Sequence, residues 1–147
     1  MSRSGPVVVG VDGSEQSLGA TRVALREAEL RGRPLHVVHC ADVTPAVLHL
    51  AGGVTVDTRD YAVQAHQAVW DAVSPLLESA PVAVERVDLS GYPADELAQY
   101  CADNDATLLV VGTRGRGRVA SAVLGSTSLR ALEQAPCNVL VAKFGGD

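Results

Sequence analysis

Aromatic residues are nearly missing from this chain. They make up 3% of its 147 residues while hydrophobic residues reach 47%, so the core has to be assembled from Val, Leu and Ala. That length fits a single domain, spanning residues 1–147 with its core at about 5–143, and needs neither disulfides nor metal to hold it. Basic residues are also few. Twelve Lys and Arg against seventeen Asp and Glu leave a formal net charge of −5, which argues against general nucleic-acid binding, because neutralising phosphates takes accumulated cations. Cysteine is limited to Cys40, Cys101 and Cys137, far apart and set among apolar neighbours. An odd number without a Cys-x-x-Cys pair favours buried, reduced thiols in a cytoplasmic protein over a secreted disulfide framework. No uninterrupted apolar span reaches membrane length, and the Pro6 to Val11 run is too brief for a signal peptide. The expectation is a soluble, cytoplasmic protein without membrane contact.

Several catalytic signatures are missing too. There is no Gly-x4-Gly-Lys-Ser/Thr loop, so this is not a P-loop ATPase, and no Gly-x-Ser-x-Gly elbow to carry a nucleophilic serine. His36 and His39 are three apart on an expected strand and so point to opposite faces. His49 and His66 have no partners at ligand spacing, and the sequence offers no protein metal site. His39 and Cys40 are adjacent, and strand neighbours also face opposite ways. No catalytic residue is assigned.

What the chain does contain is an alternation of short apolar runs with amphipathic stretches. Val7-Val8-Val9-Gly10-Val11 reads as a first buried strand, followed by Asp12-Gly13-Ser14 where a strand-to-helix turn belongs, with Ser14 as N-cap. Leu18, Val23, Leu25, Ala28 and Leu30 give the next helix an apolar stripe, and Gly32 with Pro34 stops it. Leu35 to Cys40 is the second strand. The long segment from Ala41 to Val56 is either a lid or a variable surface loop with a short helix near 46–50. A long helix from about Thr58 to Glu78 is expected to bury Tyr61, Ala65, Ala68, Val69, Ala72, Val73 and Leu76, with Pro75 kinking or shortening it. Val82 to Leu89 alternates in polarity, as a strand near a sheet edge would. A helix starting at Pro93 turns Leu97, Tyr100 and Cys101 inward and closes at Asn104-Asp105. Thr107 to Val111 and Cys137 to Ala142 are further strands. The helix between them carries Leu129, Leu132 and Ala135 inward. Such alternation makes a parallel α/β sheet with right-handed crossovers, which takes ligands beyond the carboxyl ends of its strands.

One stretch stands out. After Leu108-Leu109-Val110-Val111 come Gly112, Gly115 and Gly117 with Arg114, Arg116 and Arg118 between and after them, then Gly125-Ser126-Thr127-Ser128 at the start of a helix with hydroxyls placed to cap it. Glycines let backbone amides approach a ligand, and a helix N-terminus adds positive potential. Together with the arginines this describes an anion site, most plausibly for phosphates.

The spacing Gly112-x2-Gly115-x9-Gly125-Ser126 resembles the nucleotide-binding signature of the universal stress protein family, Gly-x2-Gly-x9-Gly-Ser/Thr, with every position filled. The resemblance extends from Val7–Ser14 to Ala135–Val141. It implies a five-stranded, mostly parallel sheet with helices on both faces, a Rossmann-like arrangement also described as adenine nucleotide alpha hydrolase-like. It also implies an ATP-binding sensor or regulator of stress response, with slow hydrolysis at most. On that resemblance Gly112 lies near the ribose, Gly115, Gly125 and Ser126 donate to phosphates, Asp12 faces the adenosine, and the backbone near Cys40 meets the adenine edge. Arg114, Gly117 and Thr127 complete the set around the phosphates. Mg²⁺ would arrive on those phosphates. The family also implies a homodimer, paired antiparallel through the last strands around Cys137 to Ala142, and a protein partner the sequence does not identify. Two alternatives remain open: a nucleotide hydrolase or transferase using Asp12 and bound Mg²⁺, and an interaction module that holds AMP, cyclic AMP or no nucleotide.

Overall fold

In the computed structural model, which describes residues 2–42, 58–113 and 124–143, five strands alternate with four helices among the described residues. In chain order they are β1 (Val7–Gly10), α1 (Glu15–Arg31), β2 (Leu35–Ala41), α2 (Thr58–Leu77), β3 (Val84–Ser90), α3 (Pro93–Asp103), β4 (Leu108–Gly112), α4 (Ser126–Gln134) and β5 (Asn138–Ala142). The strands form one sheet in the order β3-β2-β1-β4-β5, and every neighbouring pair is parallel. The expected sheet is therefore present, and it is wholly rather than mostly parallel.

The register follows from burial. Val7, Val8 and Val9 of β1 are fully buried and lie between Leu35, His36 and Val37 on one side and Leu108, Leu109 and Val110 on the other. A central parallel strand is covered on both faces, so it carries an unbroken apolar run, each such side chain contributing about 1.5–3 kcal/mol by leaving water. Odd residues Val7, Val9 and Val11 join Leu35, Val37, Leu108 and Val110 against α1 and α2. Even residue Val8 joins Val38, Leu109 and Val111 against α3 and α4. Right-handed crossovers require this division, because the path moves one way along the sheet through α1 and α2 and the other way through α3 and α4. At the edge, β3 alternates between half-buried and exposed side chains, as its sequence indicates.

Local chemistry sets the helix boundaries. The Ser14 hydroxyl accepts from Ser17 N–H at 3.2 Å, capping α1, and Gly32 closes it in the left-handed conformation, φ 63°. Pro93 occupies the first turn of α3, where its missing N–H costs nothing, and Asn104 caps the far end.

Three expected helix faces differ from the structure. On α2 the buried side chains are His66, Val69, Trp70, Val73 and Leu77, whereas Ala68 is exposed and Tyr61 is 37% exposed. Small alanines do not compete with Trp70 for the core, so the stripe is rotated toward the indole. Pro75 lies in the last turn, and the helix ends two residues later at Leu77. On α1, Leu30 is 75% exposed, and the alanines at 20, 24 and 28 let the helix lie close to the sheet. On α4, Leu129 and Leu132 are 50% and 42% exposed, while Ser128 and Ala131 face inward. This short helix has room beneath it only for small side chains. No described helix is long and apolar enough to cross a membrane. The segment around 41–56 lies almost wholly outside the described residues.

Candidate functional site

The first crossover leaves β1 for β2 on one face of the sheet, and the crossover from β4 to β5 leaves in the opposite direction on the other face. The carboxyl ends of β1 and β4 are neighbours, so their connections diverge and open a crevice between them. Its walls include Gly10, Val11, Asp12 and Ser17 from the first strand-helix unit, Val38 and Cys40 from β2, Pro93 and Leu97 from α3, and Val111, Gly112, Thr127 and Ser128 from the β4-α4 unit. The described residues enclose about 120 Å³ there, less than the roughly 300–1,000 Å³ of a complete small-molecule pocket.

Asp12 is held by its own turn. Ser14 N–H donates to Asp12 Oδ1 at 2.9 Å, Asp12 N–H donates to Ser17 Oγ at 3.3 Å, and Gly13 takes φ 82° between them. An Asp side chain that bonds the backbone two residues on makes a compact turn, so the carboxylate is fixed at the crevice wall. Both readings of Asp12, a turn residue and a site residue, fit this arrangement.

Gly112 is required by packing as well as position. A Cβ there would come within 3.1 Å of the Gln16 carbonyl oxygen, because the first turn of α1 presses against the end of β4. Its own carbonyl accepts from Ser128 Oγ at 2.5 Å. That bond locks the start of α4 to the end of β4. Ser128 was not among the site residues expected from the sequence. A serine three residues after Gly125 is a signal for capping the helix N-terminus, yet here the side chain reaches back to the strand instead.

Gly125 is the N-cap residue of α4, in extended conformation, with no side-chain cap bond among the described residues, and its N–H donates to the Thr113 carbonyl at 2.7 Å. The expected hydroxyl cap is therefore absent. Ser126 and Thr127 are exposed at the start of the helix, no acidic residue occupies its first turn, and Thr127 reaches the crevice wall. Uncapped amides at the positive end of a helix dipole are suited to an anion. Arg114, Gly115 and Gly117 lie outside the described residues.

Cys40 stands on the wall, its thiol donating to the Gly91 carbonyl at 3.6 Å. Burial, then the Glu96 and Asp42 carboxylates, push the thiol up to about 12. It stays protonated and contributes shape rather than nucleophilicity. Of the residues expected at the site, Asp12, Cys40, Gly112 and Thr127 line one crevice, and Gly125 and Ser126 adjoin it. The apolar walls Val38, Leu97 and Val111 and the small Gly10 were not anticipated as site residues, since in sequence they are indistinguishable from core.

The histidines also differ in part from expectation. His36 and His39 face opposite sides of the sheet as their spacing requires: His36 Nδ1 is 2.7 Å from the Tyr100 hydroxyl on α3, while His39 Nδ1 is 2.6 Å from His66 Nδ1 on α2. His66, without a partner at ligand spacing in sequence, thus gains one through the fold, and it also lies 3.5 Å from the Asp88 carboxylate. No cluster of three or more metal-ligating side chains occurs among the described residues.

This architecture has close counterparts. Universal stress protein MJ0531 of Methanocaldococcus jannaschii is 29% identical over 137 residues, 93% of this chain and 81% of that protein. A universal stress protein of Thermus aquaticus is 31% identical over 93% of this chain and 97% of its own length. Universal stress protein Rv2005c of Mycobacterium tuberculosis is 39% identical over 140 residues, but the chain spans only 45% of its length. Among solved structures, UspA from Lactobacillus plantarum superposes with a TM-score of 0.76 at 21% identity, covering 97% of this chain and 99% of that one. A universal stress protein in complex with cAMP matches at 0.61 and 23% identity over 96% and 98% of the two chains. One from Archaeoglobus fulgidus in complex with dAMP matches at 0.59 and 23% identity over 96% and 99%. The family profile described as "Universal stress protein family" matches residues 4–143. The chain belongs to the universal stress protein family.

Proposed function

We propose that this protein binds an adenine nucleotide, ATP in the first instance, and acts as a sensor or regulator in a stress response rather than as an efficient enzyme. The observation that carries the reading is the crevice at the β1/β4 divergence. The filled sequence pattern Gly112-x2-Gly115-x9-Gly125-Ser126 begins at the end of β4 and finishes at the start of α4, and Gly112 and Thr127 line that crevice together with Asp12. Val38, Leu97 and Val111 offer apolar surface suited to a base, and the Asp12 carboxylate is an acceptor suited to ribose hydroxyls or an amino group. The amides of α4 favour phosphate. Asp12 is the one carboxylate among the described wall residues, so Mg²⁺ would be held chiefly by the phosphates. With neither a lysine nor a second acid on that wall, hydrolysis is expected to be slow at most.

Calorimetric titration of the full chain with ATP, AMP and cyclic AMP tests the site. Gly115→Val and Ser126→Ala should each weaken binding about tenfold or more, roughly 1.4 kcal/mol. Unchanged affinity in both variants would overturn the assignment. The second reading, a module tuned to AMP or cyclic AMP, is favoured by the cAMP and dAMP complexes of two structural relatives. The ranking of the three ligands decides between them, with a monophosphate bound tighter than ATP supporting the second.

The same reading includes a homodimer paired through β5, an edge strand with half-buried Val139, Leu140 and Val141. Sedimentation should show a species of twice the chain mass at micromolar concentration. A monomer throughout would remove the dimer without touching the nucleotide site.

A further inference from the structure

Two histidines join β2 to α2 inside the protein. His39 on β2 and His66 on α2 are 6% and 8% exposed. Their rings meet edge to face, with centroids 4.7 Å apart and planes at 87°, and the two Nδ1 atoms are 2.6 Å apart. At that distance one proton lies between the nitrogens: one ring donates and the other accepts with its lone pair. With both Nε2 atoms protonated the pair carries one charge and the gap still holds one proton. A second charge has to enter the gap, where two N–H groups would point at each other. We propose that His39 and His66 form a single-proton clamp that fastens the amino-terminal half of α2 to β2 at neutral pH and opens when acid charges both rings.

The charged surroundings favour one cation here over two. Asp88 on β3 places Oδ1 3.5 Å from His66 Nδ1, and Trp70, one turn further along α2, donates its Nε1–H to that same oxygen at 2.7 Å. The Asp88 carboxylate therefore balances a first positive charge. Arg86, two residues earlier on the same face of β3, holds its guanidinium 5.9 Å from the Trp70 ring centroid and adds positive charge on that side. Arg59, two turns before His66 on α2, and Asp42, just past β2, are exposed, and Asp12 is bonded within its own turn. β1 and α1 bring Val9, Val11 and the alanines at 20, 24 and 28 to this core, none of which titrates. An unfolded chain charges both rings near a pH of about 6.5, whereas the clamped fold accepts one charge, so the opened form binds the extra proton and the clamp weakens as pH falls. His36, on the other face of β2, has no such conflict: its Nδ1 is 2.7 Å from the Tyr100 hydroxyl and its Nε2 is 3.2 Å from the Glu85 carboxylate. A neutral ring accepts from the hydroxyl and donates to the carboxylate, and a charged ring donates to both. His36 is thus an internal control. Because β2 also carries Val38 and Cys40 to the crevice wall, the clamp braces from the opposite face the strand that shapes it.

The test follows the imidazole resonances of the full-length protein by NMR from about pH 8 down to about pH 4.5, with amide hydrogen exchange measured alongside. His39 and His66 should take up charge in two steps at least about one pH unit apart. The second step should coincide with a loss of exchange protection in α2 around His66. One linked proton sets its size, about tenfold in the opening equilibrium per pH unit after correction for intrinsic exchange rates. His36 should titrate in one step that leaves α3 protection unchanged. In His39→Gln and in His66→Gln the remaining ring of the pair should titrate in a single step, and α2 protection should lose this pH dependence, whereas His36→Gln should retain it. Both rings charging at one shared midpoint in the unsubstituted protein, or α2 protection falling no more steeply there than in the two glutamine variants, would overturn the proposal. The titration of the unsubstituted protein decides the matter even where a variant fails to fold. No nucleotide enters these readouts, so the clamp and the nucleotide site fail separately.

Discussion

At the amino-terminal edge of the sheet the chain is stitched shut, whereas at the carboxyl-terminal edge it is held apart. Gly5 N–H donates to the Asp105 carbonyl at 2.9 Å, Thr107 N–H to Pro6 at 2.9 Å, Val7 N–H to Pro34 at 3.0 Å and Leu35 N–H to Ala83 at 2.9 Å. Side chains add to this: Ser4 N–H reaches the Asp105 carboxylate at 3.0 Å, Thr107 Oγ1 donates to the Arg3 carbonyl at 2.8 Å, and Arg33 donates to the Ser4 carbonyl at 2.5 Å. Asp105 adopts φ 52°, a conformation that Asp tolerates better than most residues. The Ser4 amide, with its hydroxyl and the Arg3 and Arg33 charges adding to it, holds the Asp105 carboxyl below its ordinary value against the opposing effect of desolvation. Among the described residues of the opposite edge the side-chain bonds differ in kind. Asp12 bonds its own turn, Ser128 bonds the end of β4, and the described residues leave a crevice between them. A parallel sheet has all its strands starting at one end and finishing at the other, so stability and ligand access can be assigned to different ends.

Substitutions at the two ends should therefore differ in size and in what they affect. The largest loss is expected for Gly5→Ala: a Cβ there would sit 2.2 Å from the Asn104 carbonyl oxygen and 2.4 Å from that of Asp105. Both neighbours are backbone, so the edge has to move, at a cost of about 3 kcal/mol. Urea unfolding should show the lowered midpoint, with nucleotide affinity of the folded protein preserved. An unchanged midpoint would mean that the amino edge is not the stabilising one. A smaller loss, about 1 kcal/mol, is expected for Ser128→Ala, which removes one buried hydrogen bond to Gly112. Because that bond positions the start of α4, weaker nucleotide binding should accompany the modest loss of stability. Loss of stability with affinity intact would show that Ser128 only staples the fold.

The sheet was largely legible in the sequence because its signal is local. β1 and β4 are continuous apolar runs, β2 is apolar apart from His36 and His39, β3 alternates, and Ser14, Gly32 and Pro93 mark helix ends through their own backbone chemistry. Helix faces were less legible. Periodicity locates a stripe but not its centre, and on α2 the bulk of Trp70, whose Nε1 donates to the Asp88 carboxylate at 2.7 Å, rotates that stripe. On α4 the leucines read as core, yet Ser128 and Ala131 fill the narrow space beneath the helix.

Strand alternation and the shortage of aromatics were sufficient to specify a parallel α/β sheet, and glycine spacing is what raises the proposal of an anion site after β4. These are properties of neighbouring residues, governed by backbone freedom and a period of two or 3.6. Which side chains meet across the sheet is a different kind of fact. The pairing of His39 with His66 and the bond from Ser128 to Gly112 join residues 27 and 16 positions apart. No local preference encodes them, and they exist because strand order and crossover hand place those residues at the same end and on the same face.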